Sequence, residues 1–291
     1  MPKKVVFLVS VLLLFRFYAV SVYGWSNGGS SSEPFDPKYG THDWIAHHAL
    51  DWLPYEEKQC ILDNLASFLY GTELPDNGSI PDGVGDKDKH HVYYFANGSV
   101  QEDDSAVRAR EEYINASNLL RAGDVIGAVR RLGMVCHYIS DLGVYGHVMG
   151  SETAWGSEDD SVHGNYESYV DRRTESYSDD FNVYLSFDGV LETISAYNAS
   201  LKLAFDTTFD DDGDLTCVWM SQNYDWNNPT FKNRCGESLN LAVNLIADVL
   251  HTFYMEEIIP EFPSILTLPL LIVVATFVIL CTKKRIPRKR W

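Results

Sequence analysis

Basic residues are scarce in the body of this 291-residue chain: nine of its 23 Lys and Arg fall in the two terminal segments, while all 41 Asp and Glu lie between residues 25 and 263. So acidic a body argues against nucleic acid as partner, because such binding leans on basic contacts. Bound metal would locally reverse the sign. Alternating strand patterns are also scarce and internal repeats are absent, which leaves a single all-α, multi-helix domain as the expected fold class. Cysteine is sparse, with Cys60, Cys136, Cys217 and Cys235 in the body and Cys281 near the C-terminus. An oxidising compartment would permit disulfides. Connectivity cannot be read from sequence, but Cys217 with Cys235 closes a short loop and is the preferred pair.

The two ends carry the apolar runs. Residues 1–24 have the layout of a secretory signal peptide: Lys3 and Lys4, an apolar run from Val5 to Phe15, and Val22 and Gly24 before the cleavage point. Arg16 interrupts the run, so an uncleaved anchor is the alternative. Cleavage would make Trp25 the N-terminus. At residues 260–291, Pro260-Glu261-Phe262-Pro263 precedes an uncharged span from Ile265 to Cys281 and a basic tail from Lys283 to Arg290. Such a span can cross a bilayer, with the basic cluster retained on the cytoplasmic side. The arrangement resembles the tripartite sorting signals of archaeal surface proteins, which implies a sorting enzyme as partner. A plain stop-transfer anchor is the other reading. Both put residues 25–259 outside the cell, at its surface and membrane-anchored or with the tail processed, where Asn77, Asn97, Asn115 and Asn198 are glycosylation acceptors.

Within the body, Trp44, Ile45, His48, Ala49 and Trp52 share a helical face, and Cys60 to Leu69 continues the pattern. Residues 72–100, rich in Gly, Asp and Pro, predict a loop. Further helices are expected over 105–122, 125–145 with Asp124 as N-cap, 163–178, 187–205 and 236–257.

Two pairs are spaced four apart, His137 with Asp141 and His163 with Glu167, and His147 lies between them. On a helix this spacing sets imidazole and carboxylate one turn apart on one face, where both can grip one metal ion. One such pair is commonplace on helix surfaces. His137 and Asp141, however, sit among apolar residues, where burial is costly unless a hydrogen-bonded partner or a cation satisfies both. His42, His47 and His48 open the first helix, Asp76, His90 and His91 lie in the loop region, and His251 on the last helix reads as structural. The acidic run Phe209 to Asp214 lacks a distant glutamate in calcium-loop register and reads as a solvated turn.

The ordered set Trp25, His42, Asp76, His91, His137-x3-Asp141-x5-His147 and His163-x3-Glu167 resembles the zinc-dependent phospholipase C family, which is related to fungal zinc-dependent single-strand nucleases. The likeness spans residues 25–175 and is strongest at Thr41 to Ile45, His137 to Asp141 and His163 to Asp171. It implies an all-helical fold with three Zn2+ ions in a cleft. By the same resemblance Asp76, His91, His137 and Asp141 would hold the first ion, and His147, His163 and Glu167 the second. The amine and carbonyl of Trp25, His42 and the bridging Asp141 would hold the third. His91 is preferred to His90 because Val92 and Tyr93 follow it. The implied activity is phosphoester hydrolysis, with Asp76 both ligand and orienting base. Val144-Tyr145-Gly146 departs from the family's Gln-Pro before the residue equivalent to His147, and the aromatic residues that cage choline are not evident. The expected substrate is a phospholipid or another phosphodiester. A single-strand nuclease stacking bases on Tyr93, Tyr94, Trp155 and Tyr166 is the first alternative, and a non-catalytic metal-binding surface protein the second.

Overall fold

The structure, a computed structural model, describes residues 25, 38–157, 160–174, 180–211, 213–258 and 272. The expected signal peptide and, apart from Ile272, the expected anchor lie outside the described residues. Among the described residues no helix is long and apolar enough to cross a membrane.

Nine helices carry the described fold: α1 (Thr41–Ala49), α2 (Tyr55–Leu62), α3 (Leu65–Glu73), α4 (Asp104–Arg121), α5 (Val125–Ser140), α6 (Asp160–Thr174), α7 (Ala196–Phe209), α8 (Cys217–Gln222) and α9 (Pro229–Glu257). The fold is thus mostly helical. Inside the predicted loop 72–100, however, β1 (Tyr93–Tyr94) begins an antiparallel hairpin with β2 (Val100–Glu102), pairing Tyr93 with Glu102. Phe95 N–H bonds Ser99 C=O across the tip, and Asn97 accepts from the Ser99 N–H, so local turn chemistry closes it.

Helix α5 is the central element and packs most extensively on α4 and α3. Asp124 starts it by accepting the Gly127 N–H at 2.9 Å, and its apolar face, including Val129, Leu132, Cys136 and Ile139, is buried. Gly71 of α3 and Gly133 of α5 meet at the crossing. A Cβ on Gly133 would lie 2.0 Å from Phe68 O, and one on Gly71 2.1 Å from Arg130 O. The two backbones can approach this closely only because neither position has a side chain. The predicted helix 125–145 ends at Ser140 instead, and two short 3-10 turns, Asp141–Gly143 and Tyr145–Val148, follow.

The predicted helix 187–205 begins only at Ala196. Residues 186–194 run extended along α9, whose side chains one turn apart satisfy their backbone donors. Ser186 N–H donates to Asn240, Asp188 N–H to Asn244, Glu192 N–H to Asp248 and Ile194 N–H to Thr252, at 2.8 to 3.2 Å. Two residues of extended chain rise about as far as one helical turn, which matches the first and last steps; between Asp188 and Glu192 four residues cover one turn, with Gly189 at a φ of 95°. Helix α9 itself starts seven residues earlier than its apolar periodicity suggests, because Pro229 occupies its first turn and Asn228 accepts the Thr230 N–H at 3.0 Å.

The preferred disulfide is absent. Cys217 and Cys235 are buried, unpaired thiols, and burial pushes both up to about 12. In the acidic turn near residue 210, Arg234 Nη2 meets Asp206 Oδ2 at 2.9 Å and Asp210 Oδ2 accepts the Leu215 N–H at 2.6 Å, so these carboxylates serve the fold. His251 joins α9 to α2 through Glu57 at 2.7 Å, as a structural histidine would.

Candidate metal centre

The last turn of α5 presents His137 and then Asp141, both fully buried. Asp141 is the hub. Its Oδ1 lies 3.2 Å from His42 Nε2 and accepts the Trp25 N–H at 3.3 Å. Its Oδ2 lies 2.8 Å from His90 Nδ1 and 3.1 Å from His137 Nε2. Asp76 Oδ1 faces the same atoms, 3.6 Å from His90 Nδ1 and 3.9 Å from His137 Nε2. Beyond them, His163 Nε2 meets Glu167 Oε1 at 2.5 Å one helical turn away, and His147 Nε2 stands 3.6 Å from the same oxygen. Three groups result: His42, His137 and Asp141; Asp76, His90 and His137; His147, His163 and Glu167. Within each, one donor atom per residue lies within 4.8 Å of the others.

The rings are held so that particular nitrogens face inward. His137 Nδ1 donates to the Thr72 carbonyl at 2.7 Å, across the close crossing of α3 and α5. His147 Nδ1 donates to the His90 carbonyl at 2.6 Å. Ser140 Oγ donates to the His137 carbonyl, so it accepts from His42 Nδ1 at 2.7 Å. In each case the bond fixes a tautomer that leaves the Nε2 lone pair for a metal. His90 is turned the other way: Nδ1 faces Asp141 while Nε2 lies 3.5 Å from Asp86 Oδ1. Asp86 is in turn fixed by Tyr138 Oη at 2.7 Å and Arg108 Nε at 2.8 Å, and Arg108 also reaches Glu112 at 2.9 Å.

Burial dominates the electrostatics. It lowers His42 to about 4, with repulsion from His137 adding to the effect. For His90 burial acts downward but is outweighed by the carboxylates of Asp141 and Asp86, which raise it to about 10. Burial would raise Asp141, yet the facing His137, His42 and His147 hold it well below the usual carboxylate range. Asp43, beside the cluster, is raised well above that range by burial; its oxygens receive the Gly40 N–H and the Thr72 hydroxyl and brace the start of α1.

These residues fit zinc. The donor set is imidazole nitrogen and carboxylate oxygen, the ligands Zn2+ takes. His42 Nε2, Asp141 Oδ2, His147 Nε2 and Glu167 Oε2 are buried without an aligned hydrogen bond, an arrangement that costs stability unless a cation satisfies it.

Eight of the nine expected ligands lie in this cluster: Trp25, His42, Asp76, His137, Asp141, His147, His163 and Glu167. The ninth, His91, is not brought into it: its ring is stacked on Tyr93 at 4.3 Å and paired with Glu102 at 3.0 Å, and it is His90 that stands beside Asp76 and His137. The reason is the extended backbone leading into β1, where side chains alternate. His90, Val92 and Tyr94 face the core, while His91 and Tyr93 face outward. Sequence reasoning also missed Asp86, Thr72 and Ser140, which touch no predicted metal position and orient residues that do.

A cleft of about 390 Å3 opens onto the cluster, lined by Lys87, His90, Tyr93, His147, Met149 and His163 among others. A mostly helical domain with buried imidazole and carboxylate groups opening on a cleft has the makings of a metal site. Residues 41–211 match the family model for zinc dependent phospholipase C, a stretch that holds every residue of the cluster except Trp25. The chain belongs to that family, and hence to the zinc-dependent phosphoric ester hydrolases. Among solved structures it is similar to the alpha toxin of Clostridium absonum, at 17% identity and a TM-score of 0.51. It is also similar to the alpha-toxin of an avian strain of Clostridium perfringens, at 13% identity and a TM-score of 0.46. Both alignments cover 80% of this chain and 66% of the toxin, so the chain spans about two thirds of the length of either. The likeness to the first concerns the fold. No curated protein matches.

Proposed function

We propose that the protein is a phospholipase C-like enzyme that hydrolyses the phosphodiester of a phospholipid at the outer cell surface. The observation that carries this reading is the convergence of His42, His90 and His137 on the buried Asp141, with His147, His163 and Glu167 alongside and a cleft in front. Zinc bound by these groups supplies Lewis-acid polarisation of a phosphoryl oxygen and an acidified water. Asp76, at the rim of the cluster, accepts the proton of the attacking water. The oxygen of that water bonds to phosphorus as the bond from phosphorus to the glycerol oxygen breaks, and the departing oxygen takes a proton from solvent. His42, His137 and His147 keep their inward nitrogens unprotonated through the outward bonds described above, and zinc would displace the proton from His90 Nδ1.

Three ions are proposed, with His90 in place of His91. Trp25 ties the third to export. Its N–H already points at Asp141 Oδ1, but a peptide amide has no lone pair to give, whereas the free amine left by cleavage after Gly24 does. Residues 1–24 would direct export and 260–291 would tether the enzyme, or be processed by a sorting enzyme. Asn97, Asn115 and Asn198 are exposed and open to glycosylation in such a compartment.

The aromatic residues that a nuclease would stack on bases favour the lipid reading. Tyr94 and Tyr166 are buried, and Trp155 donates to the Tyr94 carbonyl and packs edge-on against Phe209. Zinc content and turnover on a phospholipid, a chromogenic phosphodiester and single-stranded DNA test the proposal. Lipid hydrolysis abolished by chelation and restored by zinc is expected. Cleavage of DNA alone would favour the nuclease, and bound zinc without any turnover the non-catalytic binding protein.

A further inference from the structure

We infer that the cleft selects a net-anionic phospholipid with a hydroxylated headgroup over one bearing a quaternary ammonium, and that Lys87 is the residue that determines this specificity. The inference rests on the phospholipase reading of the same site.

Lys87 opens the short 3-10 turn Lys87–Lys89 that delivers His90 to the cluster. The turn is pinned on both sides, by Arg108 and Tyr138 holding Asp86 and by Lys89 Nζ on Asp104 at 3.0 Å. The stem of Lys87 is therefore rooted in a fixed backbone, and its ammonium lies 3.9 Å from Asp76 Oδ1 in the cleft wall. A group at this place stands beside the reacting phosphodiester, where a headgroup must pass. With the Asp76 carboxylate engaged by zinc, a lysine there is left to repel a fixed positive charge and to offer donors to hydroxyl and phosphoryl oxygens.

The aromatic surface points the same way. A quaternary ammonium is held by several open ring faces. Among the described lining residues Tyr93 is the one phenyl-type ring, and His91 is stacked on it at 4.3 Å with 20° between the planes. Its phenol end packs beside Gly150, where an added Cβ would lie 2.9 Å from Cζ. Asp88 also borders the cleft and could attract a cation, but its carboxylate is 79% exposed and 3.9 Å from Lys89, so water and that ammonium screen it.

The test uses zinc-loaded protein and short-chain lipids below their micellar concentrations, so that the acidic protein surface does not bias vesicle binding. Phosphatidylglycerol is expected to be cleaved with a kcat/KM at least about tenfold above that of phosphatidylcholine, as befits a charge-assisted contact near the metals. K87M should shrink that ratio by about fivefold, chiefly through KM for phosphatidylglycerol, and K87R should retain it. Calorimetric titration supplies a readout apart from turnover: glycerol phosphate should bind more tightly than phosphocholine, and K87M should narrow the gap. Equal or faster cleavage of phosphatidylcholine by the unaltered protein overturns the inference and leaves the phospholipase reading standing. So does an unchanged ratio in a K87M protein that retains its zinc and its melting temperature. Turnover of a chromogenic phosphodiester with no turnover of any phospholipid removes the phospholipase reading, and this inference with it.

Discussion

Replacing Gly133 with alanine adds one methyl group at the place where α3 and α5 touch. The nearest atom, Phe68 O, would lie 2.0 Å away, with Gly71 Cα at 2.9 Å and Gly71 C at 3.1 Å. All three are backbone atoms, so no side chain can rotate aside and the helices themselves must part by more than an ångström. Overpacking of this kind costs about 1–3 kcal/mol. Because the contacts are backbone at 2.0 Å, the upper part of that range, about 2–3 kcal/mol, applies; alanine returns about 1 kcal/mol through its better helix propensity, which leaves a net loss of roughly 1–2 kcal/mol. For a domain of this size that corresponds to a fall in Tm of about 2–8 °C. The same movement stretches the 2.7 Å bond from His137 Nδ1 to the Thr72 carbonyl, which spans the two helices, so zinc affinity should fall with stability. Thermal unfolding followed by circular dichroism, with excess zinc and with chelator, reads both effects. The variant should melt lower in chelator and recover less than the unaltered protein when zinc is added. A Tm equal to or above that of the unaltered protein, with unchanged zinc retention, would refute the crossing argument.

Asp86→Asn keeps the size of the side chain but weakens the partner of His90 Nε2, and zinc affinity in chelator competition should drop about 10- to 100-fold while Asp86→Glu recovers part of it. Ser140→Ala removes the acceptor for His42 Nδ1 and the donor to the His137 carbonyl, and should release one zinc more readily than the others, read as a separate phase in a chelator titration. The Asp248 carboxyl, raised to about 6 by burial although it accepts the Glu192 N–H, is disfavoured as an anion in the fold. A folded-state value above the unfolded one means that stability rises as pH falls from neutral through about 6 toward the ordinary carboxylate value near 4. Asp248→Asn retains an acceptor, so it should melt higher than the unaltered protein at pH 7.5 and lose that advantage at pH 4.5 in metal-free samples. A chain with extra residues ahead of Trp25 should carry one zinc fewer than the chain cleaved after Gly24, as measured by metal analysis.

Much of the site was legible because helical spacing is a strict constraint. His137 with Asp141, and His163 with Glu167, face one point when they share a helical turn, and both pairs do. His90 against His91 was harder, because a four-residue neighbourhood in a predicted loop does not reveal where extended alternation begins. Once β1 is seen, the buried Val92 and Tyr94 settle the phase. The stretch 186–194 misled for a different reason. Its apolar spacing resembles a helix, and what keeps it extended is a set of acceptors on α9 some fifty residues away, at Asn240, Asn244, Asp248 and Thr252. Tertiary hydrogen bonds of this kind leave no local trace. The Gly71–Gly133 crossing is similarly invisible until the two helices are brought together.

The central claim is that Asp141 and the histidines around it hold zinc, with His90 and not His91 among the ligands. Metal analysis of the purified protein with its Trp25 amine free, alongside His90→Ala and His91→Ala, tests it most directly. The account predicts three zinc ions per chain, two in the His90 variant with loss of chelation-sensitive hydrolysis, and three with hydrolysis retained in the His91 variant. Loss of an ion from the His91 variant while the His90 variant keeps all of them, or an unaltered protein that binds no zinc, would contradict it.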